Sequence, residues 1–231
     1  MHMTVIIICV LALILLILLG LSIVNNSTAD LLDTYKKTSN TVTGDTPVQF
    51  AEFINNNYFN GSIKIKYSDK LFDDSFSGSN VLTLCSKYAN SNNIASLSIC
   101  AHELGHAFQF KENKQKMNKH AKNLKFSNII SKFALPFVIL ALVIACFGYA
   151  YVALAVGALG FFCFFSAIIS KIATLKIEKE ATNKALQLLQ THAMFTDQEL
   201  KIAKTFLASA KQTYVASILK SMLKWTMFVN K

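Results

Sequence analysis

Two long apolar blocks dominate the pattern of hydrophobic and polar positions along this chain. The first covers Val5–Val24 and the second covers Phe133–Ile169, and neither contains a charged residue. Both blocks exceed the roughly 18 consecutive apolar residues that are typical of a transmembrane helix. The pattern therefore predicts an integral membrane protein with two separate membrane-embedded segments.

The second apolar block is longer than one membrane crossing requires. Residues 133–170 form a run of 38 uncharged residues, and one straight helix of that length would extend about 57 Å. The hydrocarbon core of a bilayer is only about 30 Å thick. We therefore predict two antiparallel transmembrane helices that turn near Gly148-Tyr149, followed by a further helix over 171–190.

The first block is predicted to be a retained transmembrane anchor. A cleaved signal peptide is the alternative, since Ser27-Thr28-Ala29 offers small residues for cleavage. Against it, no lysine precedes the apolar run, and a run of about 20 residues exceeds the roughly 7–15 of a typical signal-peptide core.

The residues between the two blocks show the periodicities of a small mixed region. Residues 63–67 alternate apolar and polar side chains, as a half-buried strand does, and residues 94–108 repeat apolar side chains at helical spacing. After a polar connector at 25–45, we predict helices at about 46–57 and 93–110, strands at Ile63–Tyr67 and Val81–Leu84, and a loop at 68–80.

The C-terminal part is predicted to be helical. Thr196-Asp197-Gln198-Glu199 resembles the capping sequence at the start of a helix. The helix beyond it has a narrow polar stripe and a wide apolar face, which is typical of an interfacial or membrane-packed helix. The chain then divides into an anchor at 1–24, a mixed part at 25–132, a hairpin at 133–170 and a helical part at 171–231.

Charge changes this picture in two ways. The net charge is +10, and all 23 basic residues are lysine. The absence of arginine gives no support for recognition of bases or phosphates, so no nucleic-acid partner is expected. Seven lysines lie between 111 and 132, beside the second apolar block, which indicates a segment that faces lipid headgroups.

The lysines also predict an orientation in the cell membrane. They lie between the two apolar blocks and after the second one, whereas residues 1–4 and the predicted hairpin turn contain none. Short lysine-rich loops stay in the cytoplasm, so residues 25–132 and 171–231 are predicted to be cytoplasmic. The five cysteines show no disulfide framework.

A metal-binding motif lies within the predicted helix at 93–110. His102 and His106 are four residues apart, so both imidazoles project from one helical face. This is the H-E-x-x-H zinc signature, in which Glu103 acts as the general base that activates a water molecule. The spacing predicts Zn²⁺ as cofactor.

Zinc needs a third protein ligand from elsewhere in the chain. The best candidate is Glu178, in an E-x-x-A pattern just after the apolar hairpin, because a chain that crosses the membrane twice returns to the side of His106. Glu180 is the alternative. Glu112 lies too near on the same helix, Asp197 and Glu199 resemble cap residues, and His120 and His192 are predicted to be surface residues.

In these residues the chain resembles the YugP-like neutral membrane zinc metallopeptidases. The resemblance is carried by residues 101–109, Ala-His-Glu-Leu-Gly-His-Ala-Phe-Gln, by the apolar block, by Ile177–Thr182 and by Thr213–Ala216. It implies a mostly α-helical α+β, zincin-like membrane peptidase. A D-x-Y-D-P-like stretch of that family is matched only at Asp73.

The chemistry and the resemblance together imply a membrane-bound endopeptidase that acts on polypeptides within a lipid bilayer. Tyr214 is a candidate oxyanion donor, with a packing residue at the membrane interface as the alternative. The strand Val81–Leu84 is a candidate to pair with substrate backbone. The alternatives are an HtpX-like or CAAX-prenyl-type membrane protease and a non-catalytic zinc-binding membrane protein. A structural zinc site normally has four protein ligands, which disfavours the last alternative.

Overall fold

A computed structural model describes residues 22, 30–38, 41–71 and 73–223, with the backbone alone for residues 167, 171 and 211–223. Apart from residue 22, the predicted anchor at 1–24 lies outside the described residues. The side chain of Tyr214 also lies outside them. Neither prediction is therefore tested by the fold.

The described chain contains seven helical segments and three strands. The helices are α1 at 30–38, α2 at Pro47–Phe59, α3 at Ile94–Glu112, α4 at Lys114–Ser131, α5 at Ala134–Cys146, α6 at Ala150–His192 and α7 at Asp197–Leu223. The strands are β1 at Lys64–Ser68, β2 at Ser75–Ser77 and β3 at Val81–Cys85. The helices and strands predicted between the apolar blocks are confirmed to within a few residues, but α1 lies in the predicted connector.

The strands form one small mixed sheet in the order β1-β3-β2. β1 pairs with β3 in parallel, and β2 pairs with β3 antiparallel. The prediction of a loop over 68–80 is wrong at β2. Its three residues, Ser-Phe-Ser, are too short to give a period-two signal, and only pairing with β3 makes them a strand.

Side-chain hydrogen bonds fix the start of α2 and the connection from α2 to β1. Thr46 and Gln49 form a reciprocal capping box at the start of α2. The buried Asn55 side chain then binds both the N–H and the carbonyl of Ile63 at 2.9 Å. Because Asn55 satisfies both groups of Ile63, the chain leaves α2 in a fixed position for β1.

The chain forms two compact units, of which the first holds the sheet. It contains Asp30–His120 together with Leu175–Lys211. Its core includes Phe50, Ile54, Leu82, Leu84, Leu97, Leu104, Leu189 and Phe206, each at most 1% exposed. α3 is held by its buried Leu97 and Leu104 face, so the side chains of its other face have fixed positions.

The second unit contains the helical hairpin, within residues 121–174. α5 and the first part of α6 pack closely, since a Cβ added at Gly160 would lie 3.0 Å from the Ala134 carbonyl oxygen. The turn is near Gly148, at φ +86°, which confirms the predicted reversal. Gly148 supplies a backbone conformation that other residues rarely adopt.

Among the described residues, two helical stretches are long and apolar enough to cross a membrane, Lys114–Cys146 and Ala150–His192. In the most apolar 18 residues of each stretch, only 17% and 18% are buried. A core helix of a soluble protein would be mostly buried. One difference from prediction is that α6 is a single helix of 43 residues. It joins the second hairpin helix to the helix predicted at 171–190, because no proline or glycine interrupts it after Gly160.

Candidate metal centre

The H-E-x-x-H motif lies in the middle of α3. Asn93 caps this helix, because its side chain accepts a hydrogen bond from Ser96 N–H at 2.9 Å. The rings of His102 and His106 lie one turn apart with their centroids 4.8 Å from each other. Both side chains are half-buried, as is Glu103. α3 therefore presents two imidazoles from one face, as the spacing predicted.

α6 approaches α3 at two small residues. A Cβ added at Gly105 would lie 2.5 Å from the Ala181 carbonyl oxygen, closer than real side chains approach backbone. Gly105 lies within the motif and Ala181 ends the E-x-x-A pattern, and Ala181 is fully buried. The backbones of the two helices are thus in contact, and Glu178, one turn before Ala181, lies beside the histidines.

Glu178 meets both histidines at one carboxylate oxygen. Its Oε2 lies 3.1 Å from His102 Nε2 and 3.6 Å from His106 Nε2. The three ligand atoms lie within 4.8 Å of one another. Ligands about 2.05 Å from a tetrahedral zinc ion stand about 3.3 Å apart. The donor set and its spacing therefore fit zinc with three protein ligands.

Outer hydrogen bonds orient both imidazoles. Gln109 Nε2 donates to the Ile177 carbonyl at 2.9 Å, so Gln109 Oε1 faces His106 Nδ1, also at 2.9 Å. His106 Nδ1–H is then the donor to Gln109, and Nε2 is the ring nitrogen that faces Glu178. His102 Nδ1 lies 3.3 Å from Thr182 Oγ1. Residues on both sides of Glu178 along α6 therefore hold the histidine rings.

The electrostatics of the cluster favour a cation. Burial opposes ionisation of Glu178, but hydrogen bonds from His102 and His106 outweigh burial and hold its pKa well below the usual range. Burial would lower the pKa of His106, but Glu178 and the charge of Glu103 raise it to about 9. The pocket thus stabilises positive charge between these side chains, which a divalent ion supplies when it binds.

Glu103 is not part of the ligand cluster. Its Oε2 accepts a hydrogen bond from the Phe76 backbone N–H at 2.9 Å, so β2 lies against the motif. This contact fixes one carboxylate oxygen next to the pair of histidines. The arrangement suits a general base that holds one oxygen still and exchanges protons with the other.

The other acidic residues weighed as ligands lie elsewhere. Glu180 and Glu112 are exposed. Glu199 completes a capping box, because it accepts from Thr196 N–H at 2.8 Å and donates its own N–H to Thr196 Oγ1. Asp197 is the first residue of α7. Among the described residues, Glu178 lies with His102 and His106. The other three glutamates and Asp197 lie apart from this cluster.

Two histidines predicted to be surface residues are half-buried instead. The His192 ring lies 2.8 Å from the Tyr58 hydroxyl and 5.6 Å from the Phe53 ring centroid. Burial lowers the pKa of His120, and the charges of Glu178 and His106 act on it as well. His120 therefore lies near enough to Glu178 and His106 for their charges to act on it.

Several site residues were missed at the sequence level. The sequence pattern assigned Gln109 no role beyond its place in the motif, and Phe76 and Asp74 lie in the predicted loop. The Asp74 carboxylate accepts hydrogen bonds from Cys85 N–H and from the Tyr88 hydroxyl. The doublet Asp73-Asp74 was the available signal, but Asp73, the residue matched to the family, is exposed and bonds only Ser68 among the described contacts.

The predicted use of β3 as a substrate-binding edge is wrong. β3 is the central strand, with β1 on one side and β2 on the other. Both of its edges are therefore occupied by backbone pairing. The outer strand on the side of the motif is β2, whose Phe76 N–H reaches Glu103.

Comparisons with known proteins identify the family of this chain. A family model described as "Putative neutral zinc metallopeptidase" matches residues 5–230. The chain is also similar to the "Putative membrane protease YugP" of Bacillus subtilis (strain 168), at 28% identity over 136 residues. That alignment covers 59% of this chain and 57% of the relative, so it spans somewhat more than half of each. No solved structure matches.

Proposed function

Because this chain belongs to the family described as "Putative neutral zinc metallopeptidase", we propose that it is a membrane-bound zinc-dependent endopeptidase. The observation that carries the proposal is the meeting of His102 and His106 with Glu178 Oε2, at 3.1 and 3.6 Å. Glu103 lies next to that cluster on the same helix, held by β2. These are the ligand types and the base that peptide hydrolysis at zinc requires.

In this proposal His102, His106 and Glu178 hold the ion, and a fourth position is left to water and substrate. Zinc bound there would lower the pKa of a water molecule toward about 7 and polarise the peptide carbonyl. Gln109 and Thr182 keep the imidazoles in the orientation that binding needs. Their role is to fix the ligand set before the ion arrives.

Glu103 carries the proton transfers. One of its oxygens is held by Phe76 N–H, and the other takes the proton of the attacking water. Glu103 then gives this proton to the leaving amine, so the carboxylate returns to its starting state. Tyr214 is the proposed donor to the oxyanion, and its side chain lies outside the described residues.

The substrate is proposed to be an extended polypeptide that runs beside β2. This strand is the outer one on the side of Glu103, and Ser75 and Ser77 are exposed. An extended peptide added at a sheet edge is a common recognition mode. The apolar hairpin supports a position in a lipid bilayer, and we propose the cell membrane, with the metal centre on the cytoplasmic side.

The test is cleavage of fluorescein-labelled casein by purified full-length protein in detergent, loaded with zinc. We expect that Glu103→Gln retains zinc but loses at least about a hundredfold in kcat/KM, because the general base is gone. His102→Ala and His106→Ala should lose both zinc and activity.

Glu112→Gln is the matched control, since Glu112 is an exposed glutamate on the same helix. It should retain zinc and activity. Loss of zinc from Glu103→Gln would refute the separation of base from ligands. Zinc binding without any cleavage by the unaltered protein would favour the non-catalytic alternative.

A further inference from the structure

The Asp74 carboxylate joins the start of β2 to the far end of β3. Its Oδ1 accepts a hydrogen bond from Cys85 N–H at 2.9 Å, and its Oδ2 accepts one from the Tyr88 hydroxyl. Cys85 is the last residue of β3, and Tyr88 is buried. Both carboxylate oxygens are thus bound to groups that the core holds in place.

β2 needs such a connection because it is short. It has three residues, and within the described part of the chain it pairs with a neighbour on one side only, through Ser75 with Thr83, Phe76 with Leu82 and Ser77 with Val81. A short outer strand opens easily on its own. Asp74 immediately precedes Ser75, so its two hydrogen bonds continue the attachment beyond the last paired residue.

The same strand holds the proposed general base. Phe76 N–H donates to Glu103 Oε2 at 2.9 Å, and any displacement of β2 would move this donor. A connected path therefore runs from Tyr88 and Cys85 through Asp74 and β2 to Glu103. Every contact along it lies within the compact unit that contains the sheet.

The charges of the two carboxylates also act on each other. Burial raises the pKa of Asp74 to about 6, the bonds from Tyr88 and Cys85 lower it, and the charge of Glu103 raises it. Burial and the nearby charge of Glu103 both make it costly to ionise Asp74. Acids with such raised pKa values are often found at functional sites. This agrees with the geometric argument and does not replace it.

We propose that Asp74 is a positioning residue that, through Cys85 and Tyr88, fixes β2 so that Phe76 N–H holds the Glu103 carboxylate in its working orientation. The inference rests on the proposed role of Glu103 as general base. Asp74 itself touches neither the ligand cluster nor, in this proposal, the substrate.

The experiment compares Asp74→Ala, Asp74→Asn and Tyr88→Phe with the unaltered protein, zinc-loaded and full-length in detergent. Asp73→Ala is the matched control, since Asp73 is the exposed neighbour that bonds Ser68. Three quantities are measured: hydrogen exchange at single amides of β2 and α3, zinc content, and kcat and KM on fluorescein-labelled casein.

For Asp74→Ala we expect the Phe76 amide to exchange about tenfold faster and kcat to fall about tenfold, the order expected for a lost hydrogen bond to a charged group. KM, zinc content and the exchange of α3 amides should stay unchanged. Asp74→Asn keeps an acceptor for Cys85 N–H and should restore most of kcat, and Tyr88→Phe should give an intermediate loss.

Unchanged exchange at Phe76 in Asp74→Ala, or an equal effect in Asp73→Ala, would overturn the proposal. A fall in zinc content would overturn it too, because Asp74 would then act on the ligands. If the α3 amides also exchange faster in Asp74→Ala, that variant has lost more than the contact of β2. Tyr88→Phe then takes its place, and unchanged exchange at Phe76 or a fall in zinc content in Tyr88→Phe would overturn the proposal. If the unaltered protein does not cleave casein, the proposed function fails, while the exchange at Phe76 still decides whether Asp74 holds this contact.

Discussion

Two nearby glutamates on α6 have different surroundings, one beside the histidines and one in solvent. Glu178 and Glu180 are separated by two positions, which rotates their side chains by about 200° around a helix. Glu178 is half-buried against His102 and His106, and Glu180 is exposed. Removing the Glu178 carboxylate would take away a proposed zinc ligand, whereas removing that of Glu180 changes only a solvated side chain.

Glu178→Ala is therefore expected to weaken zinc binding at least about a hundredfold, more than loss of an outer hydrogen bond does. Glu180→Ala is expected to leave zinc affinity unchanged. Competition with a chromophoric chelator measures both variants. If Glu180→Ala alone lost zinc, the register of α6 against α3 would be wrong.

Asp74 gives a prediction about pH and stability. Its pKa rises from 3.8 to about 6 in the folded protein, chiefly because of burial. An acid with the higher pKa in the folded state binds its proton more tightly there, so this residue's contribution to stability is complete below about pH 4 and is lost as the pH rises through 6. Asparagine at this position does not titrate.

The free energy of unfolding of the unaltered protein, minus that of Asp74→Asn, should therefore decrease between pH 4 and about 6 and then level off. Denaturant titrations in detergent at pH 4, 5, 6 and 7 provide the measurement. The groups that act on Asp74, namely Tyr88, Cys85 and Glu103, are present in both proteins. A difference that is independent of pH would contradict the prediction.

At the scale of elements, the metal centre depends on the crossing of α3 and α6. The crossing is close because Gly105 has no side chain, and the Ala181 carbonyl occupies the space where a Cβ would stand. Gln109 adds a hydrogen bond from α3 to the Ile177 carbonyl of α6. One helix carries two of the proposed ligands and the other carries the third, so the distance between the helices would set the size of the metal site.

Gly105→Ala should separate the two helices, because the added methyl would lie 2.5 Å from backbone that cannot rotate away. We expect a loss of about 1–3 kcal/mol in stability, as for other overpacked sites, and weaker zinc binding. Unfolding and zinc competition measure the two effects. Gly44→Ala is the control, since a Cβ there meets nothing within 4 Å; an equal effect in both variants would argue against the crossing.

At the scale of the whole molecule, the positions of the lysines and of the apolar hairpin indicate an orientation of the protein in the membrane. The hairpin turn near Tyr149 lies between two apolar helices and carries no lysine, whereas α4 contains five. Loops rich in lysine are retained in the cytoplasm. The metal centre is therefore proposed to face the cytoplasm, and the hairpin turn the outside of the cell.

Single cysteines at Asn57 and at Tyr149, each in a cysteine-free background, test this orientation. Both positions are exposed. In intact cells a membrane-impermeant thiol reagent should label the cysteine at 149 and not the one at 57, while both should react after the membrane is opened. Labelling at 57 in intact cells would show instead that residues 25–132 face outward.

The sequence by itself determined the features that lie within one element. His102, Glu103 and His106 are neighbours on a single helix, so their spacing alone places them on adjacent faces of it. The helix of 19 residues that holds them followed from apolar periodicity. The hairpin followed from the length of an uncharged run compared with the thickness of a bilayer.

The tertiary structure decided what depends on contacts between distant segments. The E-x-x-A motif predicted Glu178 as the third ligand. The close packing of Gly105 on Ala181 brings its carboxylate to His102, 76 residues away along the chain. β2 is a strand because β3 pairs with it, and Asp74 matters because Cys85 and Tyr88 meet it. Local periodicity records how one element buries a face, whereas these contacts arise from packing between elements, which no local pattern encodes.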